Sequence, residues 1–543
     1  MDFSASKRIN PRSFESGTDH WASIIADEVI KAFPDTVIYT AAAGISPSGI
    51  VHFGNFRDVM TCYAVIRALQ EKGKKTRFVF SWDNFDRLRK VPVGVDESFA
   101  QYIGMPLSKV PDPTGKFSSY AESFQVPFVK SIEDLGIELE YKDQSVMYQS
   151  GIYADKVIHA LKNRKEIGKI LFSLMTEKAI AAKDLTEDNF VDNYYPVSVY
   201  SKFTGKDNTT VLSFDDDKIL TYRCEETKQQ DTIDITKDFI YKLGWKVDWP
   251  MRWDYEGVNF EPGGHDHASP GSSFDVSSII AEKIYNTAPV FVEYKFVGIQ
   301  GIEGKMSGSK GGALSPSDLL EIYEPRLLKW QYLKKTPAQP FNLSFDSEIN
   351  RQYDEYDIAT IAVVENTADN IISKSINYSL ASADKIYTSP TSFRQAVSFG
   401  QIMQWDQLRV EQLFTSTISL FDTNALSARL PRAKAWLELY NRDEMIVVRN
   451  DLNTEYISNM EEGQINNIKI LRDYLEKGRL EDLETFMYNI PKDESLDQKQ
   501  NAVKQRAFFK DIYNLLISKN TGPRLATFLQ ALDSDLIIKL LNI

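Results

Sequence analysis

The strongest constraint on the fold is a strand, loop, helix and strand pattern near the start of the chain. Residues 36–44, TVIYTAAAG, form a short apolar run that ends in glycine, and a long helical pattern covers residues 55–71. A second apolar run at 75–81 follows the turn at Gly73. Elements in this order predict a βαβ unit, and therefore a parallel sheet.

The rest of the chain divides into two halves of different character. A third apolar strand is predicted at 288–298, and the sequence between about 95 and 285 is interpreted as an insertion in the sheet, with a loop-like stretch at 194–231. From about residue 315 the strand patterns fade, helical periodicity dominates, and 336–350 is interpreted as a linker. We therefore predict an α/β domain over residues 1–330 and an all-α region over 331–543.

Composition excludes several classes of protein. The N-terminal residues lack an apolar signal-peptide core, and no run approaches eighteen uninterrupted apolar residues, which predicts a cytoplasmic protein without a membrane partner. The only two cysteines, Cys62 and Cys224, are far apart, so a disulfide framework is excluded. The net charge of −13 argues mildly against nucleic-acid binding. Binding is still compatible with the sequence where basic residues cluster locally.

The first chemical motif is residues 47–55, PSGIVHFGN, between the first strand and the long helix. Its glycines let the backbone approach a ligand, and the helix that follows offers free N–H groups to phosphate. His52 and Asn55 stand where donors reach a nucleotide. The alternative interpretation is an ordinary βα turn with a polar histidine.

The second motif is residues 305–312, KMSGSKGG. Lys305 and Lys310 supply positive charge for the negative charge that develops as pyrophosphate leaves. The alternative is a solvated basic turn. A dinucleotide-binding dehydrogenase is excluded because no GxGxxG follows the first strand.

In order and in strand context, the two motifs resemble the HIGH and KMSKS signatures of class I aminoacyl-tRNA synthetases. The departures are Phe53 and Asn55 in the first motif and Gly308 in the second. Further stretches, spread over nearly the whole chain, are similar to the class I lysyl-tRNA synthetases: 81–92, 245–253, 260–267 and 508–525. This resemblance implies a Rossmann-type catalytic domain with insertions, followed by a helical region that holds the tRNA stem and anticodon.

The resemblance also implies two groups of site residues. Those for ATP are His52, Gly54, Asn55, Asp266, Lys305, Met306, Ser307, Ser309 and Lys310, of which His52, Asn55, Lys305 and Lys310 are catalytic candidates. Those for lysine are Gly44, Ser46, Trp245, His267 and Tyr294. An aromatic wall suits an alkylammonium chain. A carboxylate should pair with the ammonium, and the candidates are Asp83, Asp86 and Glu293.

The activity implied is that of a lysine–tRNA ligase, which joins L-lysine to tRNA(Lys) through a lysyl-adenylate, with ATP as its Mg²⁺ complex. DNA and membranes are not expected partners. Two alternatives remain open: a class I synthetase for glutamate or arginine, and a non-catalytic RNA-binding paralogue.

Relatives in this family often carry a zinc module in the insertion. Here Cys224 is the only cysteine in that region, and one thiol cannot supply four soft ligands. His265, Asp266 and His267 are adjacent residues, which rarely converge on one ion. We therefore predict no metal and no structural zinc.

Overall fold

The computed structural model describes residues 7–14, 17–91, 94–182, 184–269, 271–300, 314–382, 384–417, 421–478 and 482–543. The chain forms two compact units: the first comprises Met1–Ser344 and Ala362–Ile386, and the second comprises Phe345–Ile361 and Tyr387–Ile543. Every strand in the described part of the chain belongs to the first unit. None of the described helices combines the length and apolar character needed to cross a membrane.

The strands are short, and most lie in the first 300 residues. They are β1 Ile38–Ile45, β2 Lys75–Trp82, β3 Glu140–Asp143, β4 Val197–Val199, β5 Thr209–Phe214, β6 Ile219–Cys224, β7 Gln230–Asp234, β8 Tyr241–Leu243, β9 Val258–Phe260, β10 Gly263–Gly264, β11 Glu293–Tyr294, β12 Val297–Gln300 and β13 Phe341–Ser344.

Helices make up most of the remaining structure. They are α1 Trp21–Ala32, α2 Phe56–Glu71, α3 Glu122–Asp134, α4 Gln144–Gln149, α5 Ala154–Lys162, α6 Arg164–Ser173, α7 Glu177–Ala182, α8 Glu187–Asn193, α9 Trp245–Glu256, α10 His265–Ala268, α11 Ser273–Ile284, α12 Pro316–Leu320, α13 Pro325–Leu333, α14 Ile349–Val364, α15 Asn370–Ser379, α16 Phe393–Ile402, α17 Gln407–Thr417, α18 Thr423–Tyr440, α19 Thr454–Ile457, α20 Glu462–Glu476, α21 Leu483–Asn489, α22 Gln498–Ile517, α23 Leu525–Ala531 and α24 Ser534–Leu541. Short 3₁₀ turns occur at Pro11–Phe14, Glu97–Tyr102, Leu107–Lys109 and Arg442–Glu444.

The predicted βαβ unit is confirmed. β1 and β2 pair in parallel from Ile38 opposite Lys75 to Ile45 opposite Trp82. β3 and β9 extend the sheet in the order β3-β2-β1-β9, and both join in parallel. The middle of β1 is buried, as expected of a central strand in a parallel sheet. The α/β class with a parallel sheet and a helical C-terminal part is therefore confirmed.

The prediction of one strand over 288–298 is wrong. This stretch contributes β11, which pairs with β10, and β12, which pairs with β13. Between them the N–H of Lys295 donates to the carbonyl of Pro337 at 2.9 Å, and Phe296 is 70% exposed. The chain changes pairing partner at this point, and an apolar sequence pattern alone does not reveal the partner.

The interpretation of 194–231 as loop-like is also wrong. β5, β6 and β7 form an antiparallel sheet within and just beyond this stretch. Residues alternate strictly between partly exposed and buried along β6, where Leu220, Tyr222 and Cys224 are buried. Thr209, Thr221 and Asp231 occupy partly exposed positions of the strands, and the acidic run at 215–217 forms the turn between β5 and β6.

The stretch 336–350, interpreted as a linker, contains the division between the two units, after Ser344, but it is folded. β13 lies inside it and pairs in parallel with β12. Leu343 and Ser344 are buried, and the hydroxyl of Tyr323 donates to the carbonyl of Ser344 at 2.9 Å. Part of the stretch therefore belongs to the folded first unit.

The second unit has its own buried core. Arg429, fully buried, makes two hydrogen bonds to Asp357, of 2.7 Å and 2.6 Å. The indole of Trp436 donates to the carbonyl of Phe345 at 2.9 Å. A bidentate arginine–carboxylate pair of this kind fixes the relative positions of the helices α14 and α18 that carry it.

Candidate active site

A cavity of about 460 Å³ opens at the carboxyl ends of β1 and β2. Ligands of open α/β sheets bind at this edge, because the loops that follow the strands leave a crevice there. Gly44 and Ile45 of β1 and Ser81 of β2 line it, and α9 and the segment after β9 close the other side. The N–H of Asp83 donates to the carbonyl of Ile45 at 2.9 Å, which holds the loop after β2 against β1.

The residues predicted for lysine converge on this cavity. Gly44, Ser46, Trp245, His267 and Tyr294 all line it. Trp245 stacks on Trp249 with ring centroids 4.9 Å apart and planes at 19°, and the His267 ring lies 5.7 Å from that of Trp249. The wall is therefore aromatic on one side.

The first motif leads into α2. Nδ1 of His52 accepts hydrogen bonds from the N–H groups of Gly54 at 3.1 Å and Asn55 at 3.3 Å. Burial lowers the pKa of His52, so its ring is neutral at pH 7, and the proton resides on Nε2. A Cβ on Gly54 would stand 2.9 Å from the His52 ring, so this arrangement requires glycine there.

Of these three residues, Asn55 also lines the cavity. The predicted ATP residue Asp266 is exposed, in the one-turn helix α10, and is not among the residues lining the cavity. Lys305, Met306, Ser307, Ser309 and Lys310 lie outside the described residues.

The proposed ammonium partners Asp83 and Asp86 are already paired with cations. Arg252 donates to Asp83 at 2.7 Å and to Asp248 at 2.6 Å. Lys242 pairs with Asp86, and its Nζ lies 3.8 Å from Asp248. These five side chains form one buried or partly buried network in which two cations face three carboxylates.

The third candidate, Glu293, does not line the cavity. It pairs with Lys295 and lies 2.9 Å from His265. Burial would raise its pKa, but the hydrogen bonds from Lys295 and His265 outweigh that effect and lower it. Its charge is therefore neutralised at the protein surface.

Two other carboxylates line the cavity without a cation. No described Lys, Arg or His lies within ion-pair distance of Asp58 on α2 or of Glu261 after β9. Glu261 accepts hydrogen bonds from the indoles of Trp249 at 2.9 Å and Trp253 at 2.6 Å. The N–H of Gly44 donates to Asp58 at 3.4 Å, and Tyr294 acts to lower the pKa of Asp58.

Their environment disfavours ionisation. The surrounding protein, and then the neighbouring charge of Glu261, raise the pKa of Asp58 well above its usual range. Burial raises the pKa of Glu261 to about 7, against the opposing effect of the two indole donors. The cavity therefore holds two acidic side chains whose ionised forms no described cation stabilises.

Sequence reasoning missed both carboxylates, although each had a positional signal. Asp58 follows Asn55 by three residues, which places both on one face of α2. Glu261 follows β9 directly, at the carboxyl end of a strand. What the sequence did not reveal was that β9 stands next to β1.

No group of three or more His, Cys, Asp or Glu side chains in the described ranges could hold a metal ion. Cys62 and Cys224 are both free thiols in buried positions.

Comparison with known proteins agrees with this picture. The model of the family "tRNA synthetases class I (K)" matches residues 19–383. A lysine–tRNA ligase from Streptomyces coelicolor is 35% identical over 97% of this chain and 98% of its own length. One from Borreliella burgdorferi is 32% identical, over 95% of this chain and 98% of its own. A solved glutamate–tRNA synthetase from Elizabethkingia anophelis matches 93% of this chain and 99% of its own, with 10% identity and a TM-score of 0.45.

Proposed function

This chain belongs to the class I tRNA synthetases (K), and we propose that it is a lysine–tRNA ligase that activates L-lysine with ATP and transfers it to tRNA(Lys). The observation that carries the choice of amino acid is the cavity at the end of β1. It combines an aromatic wall with carboxylates that have no cation.

Such a cavity matches an amino acid with a long apolar stem and a positive end. Methylene groups pack on indole faces, and an ammonium is attracted to the π-face and to the carboxylates. Glutamate would bring a second negative charge beside Asp58 and Glu261, which Coulomb repulsion opposes. Gly44, Ser46, Trp245, His267 and Tyr294 are the proposed lysine residues.

In the first step the carboxylate of lysine attacks the α-phosphorus of ATP. The new bond joins a carboxylate oxygen to phosphorus, the bond from the α-phosphorus to the bridging oxygen breaks, and pyrophosphate leaves with that oxygen. No side chain forms a covalent intermediate. The protein positions the reactants and stabilises the charge that builds on the phosphates.

We assign that stabilisation to His52, Asn55, Lys305 and Lys310. The two backbone hydrogen bonds on Nδ1 of His52 support a donating Nε2–H. The remaining proposed ATP contacts are Gly54, Asp266, Met306, Ser307 and Ser309, with Mg²⁺ bound to the phosphates. In the second step the terminal 2′-OH of tRNA attacks the carbonyl carbon of the adenylate, and AMP leaves.

In this proposal the helical residues 331–543 bind the stem and anticodon of the tRNA. Residues 1–330 then carry the catalytic domain, with the insertion at about 95–285.

The test is attachment of radiolabelled lysine to total tRNA by the purified protein with Mg·ATP. Lys305→Ala is the control, and a panel including glutamate and arginine runs alongside. We expect lysylation that drops about 100-fold or more in the variant, as for loss of one charge-stabilising donor. Charging of glutamate or arginine instead would overturn the amino-acid assignment, and no charging at all would favour a non-catalytic RNA-binding protein.

A further inference from the structure

Arg57, in the first turn of α2, has no role in the reaction described above. We propose that Arg57 is a positioning residue, which ties the strand pair leading into the second motif to the helix that follows the first. It would thereby set where Lys305 and Lys310 stand relative to His52 and Asn55. This inference rests on the proposed function, which assigns both motifs to ATP.

Arg57 is a buried cation that lacks a carboxylate partner among the described residues. It is only 2% exposed, and its Nη2 donates to the carbonyls of Thr336 at 2.7 Å, Gln339 at 3.3 Å and Pro337 at 3.4 Å. Its Nη1 has no hydrogen-bond partner. Burial lowers the pKa of Arg57 to about 10, which leaves the side chain charged at pH 7. A charge buried against backbone carbonyls alone is costly, so stability does not account for an arginine here.

The turn that accepts from Arg57 has hydrogen-bond donors of its own. The carbonyl of Thr336 also accepts from the N–H of Gln339 at 3.0 Å, and the carbonyl of Pro337 accepts from the N–H of Lys295 at 2.9 Å. These carbonyls therefore keep a partner when the guanidinium is removed. What is lost is the polar link between the turn and α2.

The turn at 336–339 leads into the strand that pairs with the approach to the second motif. β13 follows the turn and pairs in parallel with the whole of β12. Residues 301–313, which contain the second motif, follow β12 and lie outside the described residues. Just after them, the carbonyl of Leu314 accepts from the N–H of Phe53 in the first motif at 3.2 Å. Both ends of this segment are therefore tied to the first motif and its helix, one end directly and the other through Arg57.

The need for such a link follows from the proposed chemistry. Donors on two separate chain segments must contact one ATP molecule together, and a misplacement of about 1 Å can lower the rate about 100-fold. Loss of the guanidinium would let the β12–β13 pair shift against α2. ATP contacts should weaken, whereas the lysine residues Gly44 and Trp245, on other elements, should be little affected.

The experiment uses two variants of Arg57 in the full chain. Arg57→Met removes the guanidinium and keeps an unbranched side chain, and Arg57→Lys keeps the charge but loses the planar group that reaches three carbonyls. The matched control is Arg67→Met on the same helix. The guanidinium of Arg67 also donates to backbone carbonyls, those of Leu380 at 2.8 Å and Asn377 at 3.3 Å, which belong to neither motif nor to the β12–β13 pair.

Charging of tRNA is measured at varied ATP and at varied lysine. We expect Arg57→Met to lower kcat/KM for ATP roughly 10- to 100-fold, with KM for lysine little changed. Arg57→Lys should fall between Arg57→Met and wild type, and Arg67→Met should behave as wild type. Arg57→Met should add little to the loss caused by Lys305→Ala, because residues that act through one another are not additive.

Equal rises in KM for ATP and for lysine, or an equal loss in Arg67→Met, would indicate a general structural role and overturn the proposal. Losses that simply multiply in the Arg57→Met, Lys305→Ala double variant would overturn it too. If wild type charges no lysine, the proposed function fails. The rise in melting temperature with Mg·ATP then tests Arg57 by itself: it should be smaller in Arg57→Met than in Arg67→Met, and equal rises would contradict the assignment.

Discussion

The cavity at the end of β1 and the antiparallel sheet β5–β7 satisfy polar groups in opposite ways. In the cavity, Asp58 and Glu261 accept hydrogen bonds from neutral donors and have no cation within ion-pair distance among the described residues. Cys224 in β6 is fully buried, and the side chains of Ser201 and Thr227, with nearby backbone N–H groups, lower the pKa of its thiol. An acidic side chain that lacks a cation in the protein is free to pair with a ligand, whereas the fully buried thiol of Cys224 is part of the sheet's own packing.

The sheet region has the geometry of two matching turns. Ser201 and Thr204 stand three apart in one turn, followed by Gly205 at φ 72°. Cys224 and Thr227 repeat the spacing, followed by Lys228 at φ 61°. Paired C-x₂-C turns are the zinc ligands of many small modules. Here hydroxyls stand at three of the four positions, and each accepts a hydrogen bond from a backbone N–H of its own turn.

The largest expected effect is zinc binding after cysteines are placed at the three hydroxyl positions. The variant Ser201→Cys, Thr204→Cys, Thr227→Cys should bind one zinc ion per chain, with an apparent affinity of about 10 kcal/mol or more at pH 7. Metal analysis of the purified variant and its unfolding with and without a chelator measure this. A metal-free variant would show that the two turns do not share a metal-binding geometry.

A smaller effect is expected on the free energy of unfolding when one arginine is removed from an ion pair in each region. Arg252→Met leaves Asp83 and Asp248 without their buried cation, which should reduce the free energy of unfolding by about 3–5 kcal/mol. Arg223→Met in β6 removes a partly exposed pair with Glu225 and should cost no more than about 1 kcal/mol. Urea unfolding of both variants gives the difference. Equal losses would contradict the view that the cavity region depends on buried charge more than the β5–β7 sheet does.

The smallest effect is a pH dependence of opposite sign in the two regions. The pKa of Glu261 is raised to about 7, so its contribution to stability is fully present below its unfolded value of 4.5 and is lost as the pH rises through 7. The difference between wild type and Glu261→Gln should therefore fall by about 3 kcal/mol over that interval.

Cys224 shifts the other way. Burial alone would raise its pKa, but its hydrogen-bond donors outweigh this and lower the pKa to about 6. Its contribution is fully present above its unfolded value of 9 and is lost as the pH falls through 6. The difference between wild type and Cys224→Ser should rise with pH, as followed by urea unfolding at several pH values. If the stability differences from wild type changed with pH in the same direction for Glu261→Gln and Cys224→Ser, the opposite pH dependence of the two regions would be refuted.

Much of the fold was predictable because it depends on local patterns. The β1–α2–β2 unit follows from apolar periodicity and the glycine at the strand end, both of which lie within about forty residues of one another. The strand at 288–298 was predicted wrongly, and β13 within 336–350 was missed, because strand pairing joins segments far apart in the chain, and pairing decides where an apolar run is divided.

The candidate site, too, was predictable from the sequence only in part. The sequence by itself was enough to predict an ATP-dependent reaction and an aromatic pocket. The two motifs and the aromatic residues Trp245 and Tyr294 can be recognised from residue types at fixed spacing. Only the tertiary structure decided which carboxylates are free to meet a substrate. Asp83 is neutralised by Arg252, 169 residues later, whereas Glu261 receives only neutral indoles. Charge compensation acts through space, and distance in space is set by the packed fold.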